Sequence, residues 1–298
     1  MATPDAQDAQ PELIADYACV TGEGPLWHPT ERRVYWVDIP QGRLFRYEPA
    51  TGRHEQCYET ANEAIGGFTI QADGALLLFM ARGAIRIWRD GHIAATVHEE
   101  IPEERHTRFN DVIADPAGRV FGGTMGTPER AGKQYRLDTD GSLHVVIDAV
   151  RTPNGMGFTP DRKQVYFTDT PAREISLFDY DQATGAISNR RVFVRTPDDP
   201  AEGRPDGMTV DAEGYVWSAR WDGRCLVRYA PDGAEERRIR FPVRKVSSVI
   251  FGGDDYADLY VTTAGGHLKA TDGEHAGALF RLRLGIRGVP EFPSRVLL

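Results

Sequence analysis

The sequence predicts an all-β fold, a six-bladed β-propeller, and three observations carry that expectation. Six copies of one strand-and-turn unit open at Glu23, Ile65, Asn110, Asn154, Asp206 and Ser247, at spacings of 42, 45, 44, 52 and 41 residues. That is the length four antiparallel strands of a propeller blade require. The 31 glycines and 19 prolines are spread along the whole chain, as turn punctuation would be and a linker would not. No segment carries an amphipathic period of helical length, which leaves α/β architectures without support.

Taken in order, residues 1–12 are polar and acidic and are expected to form a disordered leader, with 13–298 as a single propeller domain. The apolar stretch Leu13 to Val20 suits an outer strand of the last blade, which would close the ring. The first copy reads EGPLWHPTERRVYWVDIPQGRLFRYEPATG (23–52): a short apolar strand, a polar turn, the strongly β-forming VYWVD, and a third strand ending in a glycine turn. The second contains the longest apolar run, Ala75 to Ala81, far too short to span a bilayer. NDVIADPAGRVFGGTMG, NGMGFTPDRKQVYFTDT, DGMTVDAEGYVWSARWDG and SSVIFGGDDYADLYVTTA open the remaining four copies and repeat the order of strand, turn and strand. Stacking into a solenoid is the structural alternative, but β-helix coils are much shorter than these units.

Hydrophobic residues at 41% and charged residues at 27% match a chain with a real core. The net charge of −9 repels a phosphate backbone, and Arg237, Arg238 and Arg240 sit on a strand pattern that reads as a solvated face, so nucleic acid is not an expected partner. Cys19, Cys57 and Cys225 are too few and too scattered for a disulfide framework or a thiolate metal site. A reducing compartment follows, and with no signal peptide or anchor visible the expected location is the cytoplasm, away from membranes.

In a propeller the innermost strands line a central tunnel, so equivalent positions of different blades face one another across the axis. Among the residues that open the copies, Glu23, Asn110, Asn154 and Asp206 carry oxygen ligands, and no histidine or cysteine joins them. Such a set, with two carboxylates, suits one divalent ion at a tunnel end: Ca, Mg or Mn, with Zn less typical. Asn-Gly at 154–155 and Asp-Gly at 206–207, taken singly, read as turn dipeptides, whereas Glu23 between two glycines has no such turn role. Asp38 in YWVDI, Asp169 in YFTDT and Thr124 share a register on the second strands and are candidates to steer the ligands, or equally to end the strands in turns.

The blocks GEGPLWH (22–28), RFNDVIADPAGRVFGGTM (108–125), NGMGF (154–158), YDQATGAISNRRVF (180–193), PDGMTVDAEGYVW (205–217) and FGG (251–253) resemble the family of senescence marker protein, regucalcin, gluconolactonases and other sugar lactonases. The resemblance runs from Glu23 to Leu284 and implies a propeller with one tunnel metal held by Glu23, Asn154 and Asp206. It further implies that Asn110 and Arg108 bind substrate and that Asp206 is the catalytic base as well as a ligand. Some relatives place a substrate-contacting glutamate just after the GTM block; here GTMGTPERAGKQY has Pro128 near that place and Glu129 beside it, which makes Glu129 the candidate and puts the sugar preference in doubt.

The chemistry implied is hydrolysis of an aldonolactone to the aldonic acid, in which a divalent ion stabilises the oxyanion that forms as water adds. No GxSxG elbow is present, which disfavours a serine hydrolase. A phosphotriesterase-like hydrolase at the same metal site and a non-enzymatic calcium-binding protein are the competing readings. The resemblance implies a small-molecule sugar lactone as the partner, and the chain is expected to be a monomer or homodimer.

Overall fold

The computed structural model describes residues 10–298. Six four-stranded antiparallel sheets follow one another around an axis. Blade one runs over 22–59, blade two 65–98, blade three 109–150, blade four 153–195 and blade five 204–240. Blade six takes three strands from 245–283 and its outermost strand from the other end of the chain, where Glu12–Asp16 pairs antiparallel with Ala278–Arg283. This closure joins the first and last segments of the ring by main-chain bonds, and the Glu12 carboxylate also accepts from the Arg281 guanidinium at 2.8 to 3.0 Å. The leader expected over 1–12 lies outside the described residues up to residue 9; its last residue, Glu12, already begins a strand.

The core is a ring of wedges between blades. Blades one and two share Tyr35, Val37, Leu44, Phe68, Leu76 and Leu78, all fully or almost fully buried. Blades six and one share Trp36, Phe45, Tyr260 and Leu279. Because each blade packs on both faces, its second strand is buried throughout, as in Leu76–Met80, instead of alternating. The fourth strands, such as Arg53–Glu59, lie outside and are mostly exposed. That difference explains why apolar runs mark the inner half of every copy and polar alternation the outer half.

The inner strands are the ones that matter for function, and all six lose register near their first residues. The irregularities fall between Glu23 and Leu26, Ile65 and Gly67, Phe109 and Val112, Asn154 and Met156, Pro205 and Met208, and Val246 and Ser248. A bulge adds a residue on one side of a ladder and re-aims the side chains around it. Six of them at one level make a narrow ring. Glycine is required there: a Cβ on Gly155 would lie 2.5 Å from the Met208 nitrogen and 2.7 Å from the Asp206 carbonyl oxygen. The Asn-Gly and Asp-Gly pairs are therefore not turns but strand residues, in Pro153–Phe158 and Arg204–Val210, where neighbouring inner strands touch.

After the last strand the chain crosses the opposite end of the tunnel. Ala212 donates to the carbonyl of Arg287 and Gly288 to that of Tyr256, while Ser294 donates to Ile70, Arg295 to Gly118 and Leu297 to Thr139. The segment 289–293 thus spans from blades five and six to blades two and three. Among the described residues no helix is long and apolar enough to cross a membrane.

Candidate active site

Glu23, Asn110, Asn154 and Asp206 stand at equivalent places on the inner strands of blades one, three, four and five, with 7%, 7%, 4% and 3% of their surface exposed. A chain of hydrogen bonds joins them across blades. The Arg108 guanidinium donates to Asn110 Oδ1 at 2.6 Å, and Asn110 Nδ2 donates to Asn154 Oδ1 at 3.2 Å and to the Pro153 carbonyl at 2.9 Å. Asn154 Nδ2 donates to Thr170 Oγ1 at 2.9 Å, and Thr170 in turn donates to the carbonyl of Pro205, the residue before Asp206, at 2.8 Å. Thr170 spends its only proton on Pro205, so it must accept from Asn154. The amide is fixed with its oxygen toward Asn110 and its nitrogen toward Thr170.

Electrostatics place the two carboxylates in one field. Burial and the neighbouring Asp111 charge raise the proton affinity of Glu23 well above the usual carboxylate range, against weaker help from the Gly24 amide, Arg108 and Ser248. Asp206 is raised by burial first, then by Glu23 and Asp111, with Arg108 opposing. Burial pushes the Arg108 guanidinium down to about 10, while Glu23 and Asp206 hold its proton. One cation thus faces several acids, a shortage of positive charge that a divalent ion would repair. Among the described residues no three His, Cys, Asp or Glu side chains form a metal-holding cluster by themselves, so an ion here needs the Asn154 oxygen as well.

The second-strand residues occupy one register. Asp38 pairs with Gly22, Thr124 with Phe109 and Asp169 with Pro153, each opposite the residue just before Glu23, Asn110 or Asn154. Asp38 accepts the Thr21 amide at 3.0 Å and the Arg43 guanidinium at 2.5 Å, and Asp169 accepts the Thr152 amide at 3.4 Å. Both aspartates grip the backbone two residues ahead of a candidate ligand and have no hydrogen bond to the ligand itself. Thr124 is tied to Lys133, with its Oγ1 accepting that residue's amide at 3.1 Å.

Other expected positions come out differently. Ile65 is packed into the core between blades one and two, and the Ser247 hydroxyl donates to the Gly22 carbonyl at 2.5 Å. It is Ser248, one residue on, whose side chain meets Glu23, because the bulge of blade six shifts the register by one. Glu129 sits exposed on the loop that follows Met125; its backbone N–H is bonded to Thr127, and its carboxylate has no hydrogen bond to Arg108 or Asn110. Thr170 and Ser248 are the site residues that spacing alone did not single out, and Asp111, one level deeper, acts on the site through its charge.

A six-bladed propeller with buried carboxylates and a fixed amide at one tunnel end belongs to the propellers that line their axis with polar groups able to receive a small molecule or a cation. Comparison makes this specific. The SMP-30/Gluconolactonase/LRE-like region matches residues 21–265, and the chain belongs to that family. It is 51% identical to pentonolactonase XacC of Haloferax volcanii over 96% of this chain and 98% of that protein. It is 31% identical to regucalcin of Bos taurus over 95% and 97% of the two chains. The crystal structure of regucalcin from Agrobacterium tumefaciens, described as a calcium-binding protein, superposes with a TM-score of 0.87 at 26% identity, covering 97% of this chain and 98% of that one.

Proposed function

We propose that this chain hydrolyses a sugar lactone to the open aldonic acid, a gluconolactonase-like reaction, with one divalent ion held by Glu23, Asn154 and Asp206. The observation that carries the reading is the convergence of two buried carboxylates and a pinned amide oxygen beside a single guanidinium. The similarity to a pentonolactonase along nearly the whole chain supports a lactone as substrate and makes five-carbon lactones the first to try. The donor set is all oxygen, which fits Ca, Mg or Mn and accepts Zn less typically.

When bound, the ion supplies Lewis-acid stabilisation of the oxygen that becomes negative as water adds to the lactone carbonyl. The rest falls to the chain. Arg108, through the guanidinium N–H groups it does not spend on Phe109 and Asn110, and Asn110, through the remaining lone pair of its Oδ1, orient the sugar hydroxyls at the tunnel mouth. Asp206, or a water it orients, takes the proton of the attacking water; burial and the neighbouring Glu23 raise its proton affinity, which offsets the lowering that a bound cation would bring. Asp38, Asp169 and Thr124 act by holding backbone, and Glu129 is the remaining candidate for a sugar contact at the rim. All of these groups come from one chain, so a monomer has a complete site and a homodimer adds nothing to it. Three free cysteines support a cytoplasmic location.

The test is a pH-indicator assay on xylono-, arabinono-, galactono- and gluconolactone. Acid release should stop on chelation and return with added metal, and Asp206→Asn should remove it. No turnover above the spontaneous rate on any lactone overturns the reading. Faster turnover of a fluorophosphate than of every lactone makes the protein a phosphotriesterase, and full activity in Asp206→Ala turns the site into a calcium-binding one without catalysis.

A further inference from the structure

We propose that the far end of the tunnel is a second ligand site, built for a small organic cation with an apolar body, whose charge is met by Asp111 and Glu291. A chamber of about 450 Å³ runs from Gly24, Asp111 and Ser248, just below the candidate ligands, to the turns around Thr30 and Gly74 on the opposite face. Its walls are largely apolar, with Leu26, Phe68, Ile70, Val112, Met156 and Met208 among them. This size and this mixture of carbon with a few polar groups are those of small-molecule sites. The chamber extends to the end of the inner strands away from Glu23 and Asp206, where the crossing segment 289–293 forms part of its wall.

The two acids are what make the chamber more than a void. Asp111 is turned inward by the bulge of blade three and accepts only the amide of Val112, at 2.8 Å. Glu291 is delivered by the crossing segment 289–293 and, among the described residues, forms no ion pair; the charge that acts on it is Asp111. Arg295 also lines the chamber, but at its rim, where its stem packs over Gly118. Both side chains are half-buried, and the loss of water around their carboxyls pushes Asp111 up to about 6 and, with the Asp111 charge, Glu291 up to about 7. Two acids held against carbon without a counter-charge are unfavourable as anions, and a guest ammonium group offsets both. A bare metal ion would leave the apolar wall unused, and a neutral apolar guest would leave the carboxylates unmatched. Methionine and aromatic walls suit an alkyl or aryl ammonium.

The experiment is calorimetric titration of the full chain, saturated with Ca²⁺, by phenethylamine and by its neutral counterpart phenethyl alcohol. One amine should bind per chain, at least about tenfold more tightly than the alcohol. Glu291→Gln should weaken the amine by about tenfold and leave the alcohol unchanged, and Ile70→Trp, which fills the chamber, should abolish both. Equal affinity for amine and alcohol in the unaltered protein, no heat with either, or displacement of the amine by Ca²⁺ one for one, which would put it at the other end of the tunnel, each overturns the proposal. The comparison of the two guests needs no variant, so a variant that fails to fold does not protect the idea.

Discussion

Thr170→Val separates a positioning role from a packing role, because valine has the shape of threonine and neither of its hydrogen bonds. The Thr170 hydroxyl accepts from Asn154 Nδ2 at 2.9 Å and donates to the Pro205 carbonyl at 2.8 Å, in a residue only 9% exposed. Removing it strands a buried N–H and a buried C=O. At about 1 to 2 kcal/mol for each group left unmatched, the cost is roughly 2 to 4 kcal/mol, or a fall of about 3 to 6 °C in melting temperature for a chain of this size. The same change frees the amide of Asn154 to turn, so the proposed metal affinity should fall about 10- to 100-fold, as when other groups that orient ligands are lost. Scanning calorimetry without metal and titration with Ca²⁺ or Mn²⁺ read the two effects separately, and Thr170→Ser should restore both. A melting temperature that falls while metal affinity and lactone turnover stay at the original level would refute the idea that Thr170 aims Asn154.

Three further outcomes follow from the same geometry. Since burial and neighbouring carboxylates raise the proton affinity of Glu23 and Asp206, a cation must displace protons, and its apparent affinity should rise between about pH 6 and 8 with proton release seen by titration in buffers of different ionisation heat; a flat profile contradicts this. Glu291, raised to about 7, contributes stability that is present below the ordinary carboxylate range and lost as pH rises through about 7, so Glu291→Gln should flatten the melting temperature between about pH 5 and 8, and an unchanged slope counts against its burial. Gly155→Ala drives a methyl against Met208 and Asp206, which should cost about 3 kcal/mol and lower metal affinity together, whereas a silent substitution would mean that the inner strands are not in contact.

Much of the fold was legible because a propeller repeats its own evidence. Six copies each spelled the same strand and turn order, and the second strands, buried on both faces, announced themselves as apolar runs such as Leu76–Met80. The closing strand was visible as apolar residues ahead of the first copy, though it is shorter, Glu12–Asp16, than the stretch expected. The crossing segment 289–293 was not legible: it has no regular structure, and its place depends on contacts with Ile70 and Gly118, more than a hundred residues away in the chain. The candidate site was legible where blade register alone decides, at Glu23, Asn154 and Asp206. It was not legible at Thr170, whose role exists only because blades four and five bring a hydroxyl between an amide and a carbonyl.

The bulges explain both the success and the failures. A regular strand sends Asn110 and Asp111 to opposite faces, so a reader who places Asn110 in the tunnel must place Asp111 outside it. With an irregularity between Phe109 and Val112, both turn toward the axis, one to the hydrogen-bond chain of the candidate active site and the other to the chamber behind it. The same device moves the tunnel position of blade six from Ser247 to Ser248. Each inner strand therefore presents two levels of side chains where alternation allows one. That doubling lets a single narrow tunnel carry an oxygen-rich ring at one end and, one residue deeper, an acid that faces Glu291 across an apolar chamber.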